Sequence, residues 1–125
     1  MRKIKFRMWH KGLERYVDFC EYISKDGKPY ELVHDEYESH LREIKDVVLM
    51  QFTGLFDKNG QEIYEGDIVR TSNDRVLEVS YNVPWTSFVL SNKYKKHELE
   101  RLGNYATELL FEVIGNLYEH PELLG

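Results

Sequence analysis

The chain has 125 residues, with 17 Lys and Arg against 22 Asp and Glu, a formal charge of -5, and 42% hydrophobic residues. That length suits one domain with a real core, and 14% aromatic residues is too many for a disordered chain. No apolar run approaches the roughly 20 residues of a membrane-spanning helix, the basic start 1–5 lacks the apolar stretch of a signal peptide, and the lone Cys20 excludes an internal disulfide and fits a reducing compartment.

Charge is uneven along the chain. Residues 1–15 hold six bases against one acid, residues 16–46 hold nine acids against four bases, and residues 102–125 hold four acids and no base. The total argues against a nonspecific nucleic-acid coat, whereas the basic start keeps a local patch in play.

In chain order, the first segment alternates. Ile4, Phe6 and Met8 share one strand face, and Lys3, Lys5, Arg7 and Trp9 share the other. His10-Lys11-Gly12 reads as a turn and residues 15–23, rich in Tyr, Val and Phe, as a second strand. The Asp26-Gly27 pair marks a hairpin loop, from which residues 30–34 return as a third strand. The opening is a meander. Residues 35–46 admit two readings: a helix capped by Asp35 with Tyr37, Leu41 and Ile44 as its stripe, or an acidic surface excursion.

Residues 47–52 form a buried apolar strand, and Asp57-Lys58-Asn59-Gly60 and Glu65-Gly66-Asp67 are tight turns. Residues 68–70, 76–81 and 85–90 read as strands, with Pro84 breaking the last two apart. Residues 95–102 suggest about two helical turns closed by Gly103. Residues 110–118 make the last strand and 121–125 a short tail. Short strands with turn signals at this spacing predict a mainly β domain. It consists of an N-terminal β-meander over 1–46 and an SH3-like barrel over 47–125, with one or two short helices.

Three segments together carry a family resemblance. The first is Arg2-Lys3-Ile4-Lys5-Phe6-Arg7-Met8-Trp9. The second, within 49–69, includes Thr53-Gly54-Leu55-Phe56-Asp57-Lys58-Asn59-Gly60-Gln61-Glu62-Ile63-Tyr64-Glu65-Gly66-Asp67. The third, within 111–124, includes Val113-Ile114-Gly115-Asn116-Leu117-Tyr118-Glu119-His120-Pro121. They resemble the YopX protein family of phages and prophages of Gram-positive bacteria. The resemblance implies a mostly β protein ending in an SH3-like barrel, in the cytoplasm of a bacterial host. It brings no catalytic or ligand residues. The chain departs from the family pattern with Phe52 where Tyr is usual, Phe56 where a Lys-like residue is common and His10 where an acid is frequent.

The middle segment is explained by folding: Asp57, Asn59 and Gly60 serve a reversal, Gly54 and Gly66 turn other corners, and Ile63, Ile68 and Val69 fill a core. It fails as a calcium loop, because Gly60 stands fourth and Ile68 twelfth. His97-Glu98 lacks the second His of a zincin helix, since Arg101 stands there. His34, Glu36, Glu38 and His40 read as exposed polar residues and not as metal ligands, and Cys20, between Phe19 and Tyr22, reads as packing and not as a nucleophile. No catalytic residue, metal or cofactor is expected.

Two functions remain. In the first, nine Tyr residues and an acidic balance suit a protein interface, either with a second copy or with a host factor. In the second, Lys3, Lys5, Arg7 and Trp9, with a second patch at Lys93 to His97, contact nucleic acid through charge and stacking. Against the second, the basic strip can be neutralised by the acidic residues 16–46. Candidate contact residues are Lys3, Lys5, Arg7, Trp9, Phe56, Trp85, Tyr94 and Lys96, with Trp9, Phe56 and Trp85 equally suited to a core. Protein contact is the favoured reading, and no membrane is expected as a partner.

Overall fold

A computed structural model of the chain describes residues 3–72, 74–92, 95–101 and 111–125, with backbone alone for 92 and 95–101. In chain order the strands are β1 (Phe6–His10), β2 (Arg15–Val17), β3 (Tyr22–Ile23), β4 (Pro29–His34), β5 (Ser39–Glu43) and β6 (Val47–Phe56). They continue with β7 (Glu62–Tyr64), β8 (Asp67–Thr71), β9 (Val76–Asn82), β10 (Ser87–Asn92), β11 (Lys95–Arg101) and β12 (Phe111–Asn116). The protein is mainly β, as the alternation predicted, and its described strand pairings are antiparallel. No helix among the described residues is long and apolar enough to cross a membrane.

One expected helix, and the helical one of two readings for another segment, give way to strands. Residues 95–102 were expected to be helical, but Lys95–Arg101 is β11, an edge strand paired with β10 at Val89↔Arg101 and Leu90↔Glu100. The segment lacks an apolar stripe of helical period, so pairing with the preceding strand decides its form. Leu102 and Gly103 lie outside the described residues. The helical reading of 35–46 also gives way. Asp35 Oδ1 accepts the N–H groups of Tyr37 and Glu38 at 2.9 and 2.8 Å, and closes a turn into β5. The capping chemistry of Asp is the same in a turn as at a helix start. The tail expected at 121–125 is a 3₁₀ turn, Pro121–Leu124, with Leu124 buried.

The chain forms two compact units. One is Arg7–Leu49; the other is Met50–Gly125 with the N-terminal segment ending at Phe6. The Arg7–Leu49 unit contains the sheet β3-β4-β5, with Leu32 opposite Leu41 and Tyr30 opposite Glu43. It also contains the β1–β2 hairpin, where Trp9 faces Tyr16. The Asp26-Gly27 turn forms as expected, with Gly27 at φ 81°.

The larger unit contains the five-stranded sheet β11-β10-β9-β8-β12 and the pairing of β6 with β7. Ile63, Val69, Leu77, Val79, Leu90 and Phe111 form one buried cluster, with Leu55, Phe88 and Val113 packed against it. Asp57 organises its turn and also ties it to a distant strand. Its Oδ1 accepts the N–H groups of Asn59 and Gln61 at 2.8 and 2.9 Å, and its Oδ2 accepts that of Val113 at 2.9 Å. Gly66 is required at its corner. Its φ is 84°, a side chain there would press on Met50 Sδ at 3.2 Å, and its N–H donates to Val79 C=O at 2.8 Å.

Candidate contact surfaces

The basic strip is largely committed within the protein. Lys5 Nζ lies 2.6 Å from Glu62 Oε2 and 5.8 Å from the Phe52 ring centroid. The carbonyl of Lys5 accepts the N–H of Phe52 at 2.8 Å, which sets the side chain beside that ring. The Glu62 carboxylate, by hydrogen bond first, raises the Lys5 pKa above its ordinary value. Neutralisation was expected from residues 16–46. For Lys5 it comes instead from β7, because the chain ahead of β1 lies beside the distal half of β6.

Arg7 is half-buried, with its guanidinium 4.8 Å from the Tyr16 ring centroid. Trp9 is 4% exposed and meets Tyr16 edge-on at 5.1 Å. Its indole is therefore core and offers no stacking face. Met8, its neighbour on the opposite strand face, is also buried, so the alternation read for 3–9 breaks there. Lys3 is exposed.

Phe56 is 47% exposed at the end of β6, with its ring edge-on to the buried Phe52 at 5.7 Å. Trp85, expected at the start of a strand, lies in the turn joining β9 and β10. The side chain of Asn82 builds that turn by accepting the Trp85 N–H at 2.8 Å, and Thr86 takes a φ of 46°. Trp85 is 37% exposed there. Beside it are Val83 and Tyr81, both exposed, and Tyr81 packs edge-on against Phe88 at 5.3 Å. Reading the sequence missed Tyr81 and Val83 as surface residues. The alternation of β9 was the available signal, since Leu77 and Val79 are buried on the face that Tyr81 continues past the end of the core. Tyr94 lies outside the described residues, and of Lys96 the structure describes its place in β11.

Asp35, Glu38 and His40 could each offer one ligand atom to a cation, and these atoms lie within 4.8 Å of one another, all on exposed residues. The turn that Asp35 closes accounts for their proximity, and hydrogen bonds to Tyr37 and Glu38 lower the Asp35 pKa. His34 is engaged elsewhere, with Nδ1 2.6 Å from Ser39 Oγ. Cys20 is half-buried, its Sγ 3.5 Å from the carbonyl oxygen of Tyr22.

Comparison with known proteins places this architecture. No curated protein matches the chain. Among solved structures, protein EF1440 from Enterococcus faecalis is similar over 100% of both chains, with a TM-score of 0.65 and 23% identity. Protein yopX from Bacillus subtilis is similar over 100% of both chains, with a TM-score of 0.61 and 22% identity. These identities speak for the fold alone. The YopX protein family itself matches residues 5–125, nearly the whole chain, and to that family the chain belongs.

Proposed function

We propose that the chain is a non-enzymatic accessory protein of a phage or prophage, acting in the bacterial cytoplasm through protein–protein contacts. The β9–β10 hairpin carries this reading. It presents Tyr81, Val83 and Trp85 to solvent on a turn fixed by Asn82. Aromatic side chains held on a defined turn supply contact area at low entropic cost, and such residues anchor interfaces. A non-enzymatic role is supported by the buried polar groups Asp57 and Asn116, whose oxygens accept backbone N–H groups within the fold.

Nucleic-acid binding is the competing reading. It needs free cations and open stacking faces. Lys5 on Glu62, Arg7 over Tyr16 and the buried Trp9 weigh against it. The test pairs two measurements. Affinity capture from host lysate compares the wild type with Trp85→Ala and Val83→Asp, and gel shift is run at low and moderate salt. The expected result is an identified protein that both variants lose, with no shifted nucleic acid. A low-salt shift that fades with added salt, together with captures unaffected by the variants, would overturn the reading.

A further inference from the structure

The sheet β3-β4-β5 ends at β5, whose outer edge meets no strand among the described residues. Two bonds fix the hydrogen-bond phase of the β4–β5 pair. Asp35 N–H donates to Glu38 C=O, and Ile44 N–H donates to Pro29 C=O, both at 2.9 Å. Bonded pairs in an antiparallel ladder recur at every second residue. Between those ends they fall at Val33↔His40 and Glu31↔Arg42. His40 and Arg42 therefore direct their backbone groups to β4. The N–H and C=O groups of Ser39, Leu41 and Glu43 point out of the sheet. Such an edge is a template for another strand.

We propose that β5 is a self-association edge: two copies pair their β5 strands antiparallel about a two-fold axis at Leu41, joining two three-stranded sheets into one of six. The inference rests on the reading that the protein works through protein contacts, and it names the partner as a second copy. The outward positions are symmetric about Leu41. In this register Leu41 meets the second copy's Leu41 and Ser39 meets its Glu43, so every outward group finds an outward group. Charge selects the antiparallel direction. Asp35, Glu36 and Glu38 precede the strand as three acids with no base among them, whereas Arg42, Glu43, Lys45 and Asp46 at its far end balance two bases against two acids. Antiparallel pairing lays the acidic end along the charge-balanced end, whereas parallel pairing would lay acid on acid.

The apolar pattern agrees. Leu41 is 50% exposed and stands opposite Leu32, 43% exposed, on one face of the sheet. A second Leu41 extends that pair across the edge into a row of four leucines. On the other face Arg42 meets the second copy's His40, and the Arg42 guanidinium is already held by Glu31. Asp46, at φ 63°, interrupts the extended backbone between β5 and β6.

The experiment is sedimentation velocity of the full chain over a concentration series. Wild type is expected to pass from monomer to dimer as concentration rises. Leu41→Pro deletes the central outward N–H and no bond to β4, a position that edge strands accept, and is expected to lose the dimer. Leu41→Lys, which sets two ammonium groups on the axis, serves if the proline variant fails to fold by circular dichroism. In a Cys20→Ser background, Leu41→Cys is expected to give a disulfide-linked dimer under mild oxidation, because a bonded pair sits about 5.5 Å apart at Cα, within disulfide reach. Ser39→Cys is expected not to. A wild type that stays monomeric at every concentration overturns the inference; so does a dimer that folded Leu41→Pro or Leu41→Lys protein keeps. Either result leaves the protein-contact reading to the hairpin variants and the gel shift.

Discussion

The sheet β3-β4-β5 and the sheet β11-β10-β9-β8-β12 are both antiparallel and both alternate in sequence, but they use apolar residues differently. In the larger unit Val69, Leu77, Val79, Leu90 and Phe111 pack together in a buried cluster. In the smaller unit Leu32 and Leu41, paired across strands, remain about half exposed. Its strands are laced by polar contacts instead: Arg42 to Glu31, Lys28 and Lys45 to Glu43, and the Asp35 turn. Exposed ion pairs contribute little, about 0–1 kcal/mol each, whereas each buried large side chain contributes about 1.5–3 kcal/mol. The five-stranded sheet therefore draws more of its stability from apolar burial than the sheet β3-β4-β5 does.

Substitutions that separate the units sharpen this contrast. The largest effect is expected at Phe111→Ala, a loss of about 3–5 kcal/mol in urea unfolding, because the ring is the largest side chain buried in the cluster. Asp57→Ala should follow at about 2–3 kcal/mol, as it orphans the N–H groups of Asn59, Gln61 and Val113 together. Leu32→Ser in the smaller unit should move the same curve by no more than about 0.5 kcal/mol. A cost there as large as at Phe111 would erase the distinction between the sheets.

The smallest effect concerns acid. Hydrogen bonds from Tyr37 and Glu38 hold the Asp35 carboxyl below its ordinary pKa of 3.8. A lowered folded value means that its stabilisation is present above about 3.8 and is lost as pH falls through the lower folded value. Asp35→Asn should lower stability slightly at neutral pH, where the ionised carboxylate contributes, and leave the acid end nearly unchanged, so that the acid limb flattens in that window. Unfolding midpoints at a series of acidic pH values check this.

Much of the fold is legible in the sequence because its signals are local. Asp26-Gly27, Asp57 to Gly60 and Gly66-Asp67 announce turns, and Gly27, Gly60 and Gly66 take the positive φ that only such corners need. Alternation marks most strands. The errors fall where a local signal is shared by two structures. Asp35 caps a turn as readily as a helix, and residues 95–101 had no period strong enough to outvote a neighbouring strand. The contact residues were least legible. A basic strip looks the same in sequence whether its charges are free or paired, and Trp9 looks the same whether buried or exposed.

The sequence by itself determined most of the strands and turns, the family resemblance and the uneven charge along the chain, since these follow from neighbours in the sequence. Tertiary structure alone decided which charge meets which. Lys5 finds Glu62 across 57 residues, and Asp57 finds the Val113 N–H across 56. Strand pairing brings such groups together, and nothing in either segment names its partner. The net -5 thus constrained the function less than the fold's placement of Lys5, Arg7 and Trp9, of which the first is paired, the second stacked and the third buried.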